Sequence, residues 1–244
     1  MMRIGLFILA AATVFSPLCA QTAPEEDVLP QGETGLLILA QAEQRYWSGE
    51  GTEIGSWGLA DRAHRAFSYI ADPAERYLYF ARVSLIKGRL MLEMRSRVKA
   101  RPFFQEAMDM AETSLSYAES SEAYRIRAEA GYEWLYSKRL WRSSKLYDNI
   151  SEWSRQAVNM DSQNAAAEFA AALIVYRKSR RDKEFLNSLY ASLEKLYSRS
   201  DIDVITSFRI CMLLAEVSKK IRTKTDEAEW LKKAAEILPG YEED

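Results

Sequence analysis

Residues 150–176 read ISEWSRQAVNMDSQNAAAEFAAALIVY, and the fold follows from how this stretch turns a corner. Ile150, Trp153, Ala157 and Met160 recur at three and four residues, the spacing of one face of an α-helix. Asp161-Ser162-Gln163-Asn164 then supplies short polar side chains that bond nearby backbone N–H groups, the chemistry of turns and helix starts. A second stripe opens on Ala165-Ala166-Ala167 and continues through Phe169, Ala172, Leu173 and Tyr176. Small residues at the crossing let two backbones approach closely, so the stretch predicts two antiparallel helices joined by a tight turn.

The same rhythm extends to both sides. Helical patterning runs over about 34–48, and a loop over 49–55 leads to a second helix over 56–70 carrying Ala60, Ala63, Ala66 and Phe67. Asp72-Pro73-Ala74-Glu75 combines a capping residue, a first-turn proline and an acid three residues past the cap. That helix reaches about Met94; 95–101 breaks it, and Pro102 is expected in the first turn of the next, which runs to Ala118. Ser120-Ser121 starts another, a basic turn over 138–145 follows, and beyond Tyr176 come 177–183 and a helix with Phe185, Leu189, Leu193 and Leu196. Ser200 and Asp203 start a helix over 202–217, and Thr225 starts the last, which Leu238-Pro239-Gly240 stops. Ten helices in five antiparallel pairs result, with pairs starting near 34, 73, 121, 164 and 203. A recurring helix hairpin predicts an all-α solenoid.

Several residues inside the pairs carry a family likeness. Tyr77, Phe80, Ala81 and Gly88 in the second pair, Ala171-Ala172 in the fourth, and Leu214-Ala215, Ala234 and Pro239 in the fifth resemble the tetratricopeptide (TPR) pattern, and 161–164 resembles its inter-repeat turn. Pairs one and three carry insertions, and the spacing exceeds the family's repeat of about 34 residues. The resemblance covers 34–240 and implies a right-handed α-α solenoid of about five TPR-like hairpins. An exported, irregular chain of this size also looks like the T-component proteins that accompany periplasmic TRAP-type transporters.

Residues 1–20 read as a secretory signal. Arg3 gives the positive start, Ile4 to Phe15 is an apolar run of about twelve residues, too short to span a bilayer comfortably, and Leu18-Cys19-Ala20 ends it. Lipid anchoring at Cys19 is the lesser alternative, because Leu18 stands where that motif wants a small residue. Residues 21–33 read as a linker and 241–244 as an acidic tail, and the expected destination is the bacterial periplasm.

Chemistry is sparse. Hydrophobic residues make up 48% of the chain, enough for a real core, and the net charge of −2 gives no global signal for nucleic acid. Cys211 lies in the apolar run 210–214 and reads as a small buried hydrophobe. His64 is the single histidine, so no usual zinc or haem ligand set forms, and no phosphate-loop, dinucleotide or nucleophile-elbow motif occurs. No cofactor, metal or enzymatic activity is expected. A two-carboxylate hydrolase is the weakest reading, since the acids sit at helix starts and on solvated faces.

Two surfaces remain. The TPR resemblance implies that the first helices of the pairs line a concave groove, onto which Tyr46, Trp47, Arg82, Tyr132, Tyr136, Phe169, Tyr176, Arg177, Arg209 and Met212 fall. Tyr, Trp and Arg dominate binding hot spots, although packing between repeats would use the same residues. The within-pair turns 95–101, 138–145, 177–183 and 219–224 hold 17 of the 33 Lys and Arg with Asp182 as their one acid. Stacked hairpins would align them as a basic edge: Arg95, Arg97, Lys99, Arg101, Lys138, Arg139, Arg142, Lys145, Lys178, Arg180, Arg181, Lys219, Lys220 and Arg222. Helix dipoles explain cations at the ends of the first helices but disfavour them at the starts of the second. The expected function is an exported, non-enzymatic scaffold that binds another protein in an envelope complex, with an anionic membrane surface as a further partner for the edge and no nucleic acid. The alternative is a periplasmic small-ligand or lipid carrier associated with a transporter.

Overall fold

The computed structural model describes residues 32–49, 53–138, 145–221 and 224–239. The expectations for the signal segment with Cys19, nearly all of the linker, the acidic tail, and Arg139, Arg142 and Arg222 lie outside those residues.

Among the described residues the chain is all-helical: α1 (Glu33–Ser48), α2 (Glu53–Phe67), α3 (Pro73–Glu93), α4 (Arg97–Tyr117), α5 (Ser121–Lys138), α6 (Lys145–Met160), α7 (Ala165–Ser179), α8 (Lys183–Tyr197), α9 (Val204–Ile221) and α10 (Lys224–Ile237). The helix starts come from local chemistry. Asp72 accepts from the Ala74 N–H at 2.9 Å, Asn164 from Ala167 at 3.0 Å and Asp203 from Thr206 at 2.9 Å, each satisfying an N–H with no intrahelical partner.

Several expected boundaries shift: α2 opens at Glu53 inside the expected loop and ends at Phe67, α9 runs from Val204 to Ile221 and so takes in Lys219 and Lys220 of an expected turn, and the start of α4 moves furthest. α4 begins at Arg97, so Pro102 sits in its sixth position and not in its first turn. Only Met94, Ser96 and the intervening Arg95 separate α3 from α4. The chain turns there by a Schellman closure: Ser96 N–H donates to Met91 O and Arg95 N–H to Leu92 O, both at 2.9 Å, with Arg95 left-handed at φ 55°. Pro102 costs α4 one backbone bond, to the carbonyl of the exposed Val98.

Each helix packs on its successor, and the odd-numbered helices α1, α3, α5, α7 and α9 also touch in series. α9 then meets α1, so the row of odd helices returns to its own beginning. Inside the hairpins glycines permit close approach: a Cβ on Gly35 would lie 2.6 Å from the Phe67 ring, on Gly131 2.7 Å from Ile150, and on Gly88 inside the Phe104 ring. Phe67, Phe104 and Ile150 are all buried, and each contributes about 1.5–3 kcal/mol of apolar burial.

The described helix ends gather on two opposite edges. On one, Arg101 donates to Ser137 O at 3.2 Å, the Arg97 guanidinium lies over Tyr136, and Lys178 and Lys220 lie over Tyr147 and Tyr176. On the other, Ser114 donates to Ala74 O and Ser121 to Ala157 O, while Arg199 bonds Glu168 and Gln163. No helix among the described residues is long and apolar enough to cross a membrane.

Candidate functional site

The inner faces of the odd helices hold an unusual density of charge. Glu129 of α5, 2% exposed, receives Arg125 from its own helix at 2.6 Å, Arg89 from α3, and both terminal nitrogens of Arg209 from α9 at 3.2 and 3.1 Å. Glu122 pairs with Arg125, Glu133 with Arg89 at 3.3 Å, and Glu43 of α1 with Arg82 at 3.2 Å. Burial by itself would raise the Glu129 carboxyl, but Arg209, Arg125 and Arg89 together outweigh it and hold that group well below the usual carboxylate range. The Trp47 ring faces the guanidiniums of Arg89 and Arg209, at 5.5 and 5.3 Å, and Arg209 also lies 4.7 Å from the Phe169 ring. Trp47 and Phe208 meet at 6.1 Å where α9 returns to α1.

Above this ionic floor a cavity of about 520 Å³ opens toward the edge that carries the basic turns. Tyr46, Trp47, Tyr132, Tyr136, Phe169, Arg177 and Arg209, all expected in a groove from the sequence, are brought together in its wall, as is Met212. Leu92, Leu173, Leu213, Ala215 and Leu231 supply the rest of its apolar lining. Tyr46 donates to Glu93 at 3.4 Å, and Arg177 donates to the Tyr132 hydroxyl at 2.7 Å and reaches Glu216 at 3.5 Å. Burial raises the Tyr46 and Tyr132 hydroxyls far above the usual phenol range, so both stay protonated in any physiological medium.

Two of the expected groove residues stand elsewhere. Tyr176 is fully buried, its ring packed among α7, α8 and α9 and its hydroxyl donating to Glu216 at 2.8 Å; a face turned into the core has nothing to offer a partner. Arg82 is tied to Glu43 and is not part of the cavity wall. The sequence reading missed Glu129, Arg89, Arg125 and Glu133. Their signal was present, since Glu122, Arg125, Glu129 and Glu133 repeat at three and four residues on the face that also carries Tyr132 and Tyr136.

The described residues expected on the basic edge differ in exposure. Arg95, Lys99, Lys145, Lys178, Arg180, Arg181, Lys219 and Lys220 are exposed; Arg97, Arg101 and Lys138 are half-buried. Arg97 and Lys219 also line the cavity, so the mouth and this edge are continuous.

Elsewhere the titratable groups have structural roles. His64 stacks on Phe80 at 4.3 Å, and burial followed by the charge of Lys87 lowers its pKa, which keeps it neutral at pH 7. Cys211 is buried, and burial pushes its thiol up to about 11. No group of three or more metal-ligating side chains gathers among the described residues. Compared with known proteins, the chain matches no family model, no curated protein and no solved structure.

Proposed function

We propose that this protein is a non-enzymatic binding protein whose inner helical ring holds one small amphipathic organic guest. In this reading the ten helices are five TPR-like hairpins of a right-handed solenoid, exported by the segment 1–20 and working beside a transporter in the cell envelope. The observation that carries it is the return of α9 onto α1. It turns the concave side from a trough into a cup of about 520 Å³, within the roughly 300–1,000 Å³ of small-molecule sites. A bound helix about 10 Å across would need an open channel along the odd helices, which the Glu129 cluster occupies. The wall suits a molecule with an apolar or aromatic body and polar ends: Trp47, Phe169, Leu173 and Met212 contact the body, and Arg177, Tyr132 and Glu133 meet the ends.

The test uses an environment-sensitive amphipathic dye and the purified chain. One dye should bind per chain, and Leu173→Trp or Met212→Trp, which fill the cup, should weaken it about tenfold or more, or about 1.4 kcal/mol. Unchanged dye affinity in both variants, with unfolding midpoints intact, would discard the cup. The second reading is an adaptor that grips a protein segment at the mouth. It is favoured by the Arg97–Tyr136 pair on the rim, where Tyr136 is 39% exposed. A protein ligand that survives filling of the cup but not Tyr136→Ala would establish that reading instead.

A further inference from the structure

The edge that carries the cavity mouth has a composition that helix stability does not explain. Arg95, Arg97, Lys99, Lys138, Lys145, Lys178, Arg180 and Arg181 converge there from three hairpins, and among the described residues none of the eight forms an ion pair with a carboxylate. The first turn of α4 contains Arg97 and Lys99 and no acid, although a helix start disfavours cations. Large apolar side chains stand exposed among these charges. Val98, 70% exposed, stands between Arg97 and Lys99 at the start of α4, and Met94, 49% exposed, stands between Glu93 and Arg95 at the end of α3. Ile54, 80% exposed, opens α2 on the same edge, as Trp57 one turn later meets Phe103 of α4 at 5.3 Å.

The opposite edge supplies the contrast. It too exposes apolar groups, namely Tyr69, Tyr117, Met160 and Val204, but beside Asp72, Glu119, Asp161, Asp201 and Asp203. An anionic surface would repel that edge and attract the first. Cations interleaved with protruding apolar side chains match a bilayer better than a folded acidic protein. Lipid headgroups take many diffuse charges, and the interface beneath them takes apolar tips.

We propose that the edge formed by the start of α2, the α3–α4 and α7–α8 turns and the facing ends of α5 and α6 at Lys138 and Lys145 docks on an anionic lipid bilayer, with Ile54, Met94 and Val98 entering the headgroup boundary and the cavity mouth turned toward the lipid. This docking does not depend on what the cup holds, and its test reads neither the dye nor the cup-filling variants. The full chain is sedimented with vesicles of phosphatidylcholine, with and without phosphatidylglycerol. Binding is expected only to the anionic vesicles and should fall steeply with salt as surface charges are screened. Lys178→Glu with Arg181→Glu should weaken it about tenfold or more, each cation near such a surface contributing on the order of a factor of five. Met94→Ser with Val98→Ser should weaken it several-fold without changing the salt slope. Val98→Trp should strengthen it, since Trp favours the membrane interface, while Val204→Trp on the acidic edge should leave it unchanged. All these positions are exposed, so the variants should unfold at the same urea midpoint as the parent chain. Four results would overturn the proposal. They are absence of sedimentation, sedimentation indifferent to lipid charge, equal gains from Val98→Trp and Val204→Trp, or charge reversal that abolishes capture of an acidic protein while vesicle binding persists.

Discussion

Arg95 holds φ at 55°, a conformation that glycine adopts freely and a side chain with a Cβ does not. The Schellman closure of α3 demands it, because the N–H groups of Arg95 and Ser96 must turn back to the carbonyls of Leu92 and Met91. Arg95→Gly should therefore stabilise the fold by about 0.5–1 kcal/mol, read as a higher urea midpoint at unchanged slope. Gain of stability with loss of a charge would fit an arginine retained for what it meets outside the chain. A midpoint that falls would show the strain to be offset by contacts of the Arg95 side chain.

At the scale of elements, the hairpins depend on a glycine meeting a large residue. Gly88 lies against the Phe104 ring with no room for a methyl group. Gly88→Ala should cost about 1–3 kcal/mol through forced displacement of α3 from α4, and Phe104→Leu in the same chain should recover part of that loss. A double-mutant cycle on unfolding free energy measures the coupling; strict additivity would place the strain elsewhere. α9 is buried on several faces, with Phe208, Ile210, Cys211, Leu213 and Leu214 all inside. The Cys211 thiol, pushed up to about 11, should react with a disulfide reagent at neutral pH only as fast as the chain opens. Its rate should rise with urea in parallel with unfolding, and prompt labelling of the native chain would contradict that burial.

For the molecule as a whole, Glu129 is the carboxylate on which three helices converge. Arg89 reaches it from α3 and Arg209 from α9, so Arg209 ties α5, in the middle of the chain, to the last hairpin. Glu129→Gln would leave three buried guanidiniums short of charge, at a cost of about 3–5 kcal/mol. Arg209→Met keeps much of the volume and should loosen the α9 return, lowering dye affinity more than stability. The sign of the pH effect follows from the depressed carboxyl. Its contribution is fully present above the unfolded value near 4.3 and is lost as pH falls through the lower folded one. The urea midpoint should therefore hold level from about pH 7 to 5 and drop below about pH 4, and in Glu129→Gln that drop should shrink.

Much of this architecture is written in short-range spacing. The ten helices, the caps at Asp72 and Asn164, and the hairpin rhythm can all be read within a few residues, because a helix and its cap are local hydrogen-bond problems. The α4 start escaped that reading since Pro102 suggested a first turn, while the Schellman bonds at Arg95 reset the chain five residues earlier. The cup was only half legible. Tyr132, Tyr136, Phe169 and Arg177 were expected in a groove from the TPR resemblance and do line the cavity, yet Tyr176, expected there on the same ground, falls into the core although it is one residue from Arg177, because a helix turns about 100° per residue. Closure of α9 onto α1 and the convergence of Arg89 and Arg209 on Glu129 belong to the tertiary structure alone. They depend on small angles accumulated over successive hairpins, and a glutamate that looks solvated in a sequence becomes buried when arginines from distant helices converge on it.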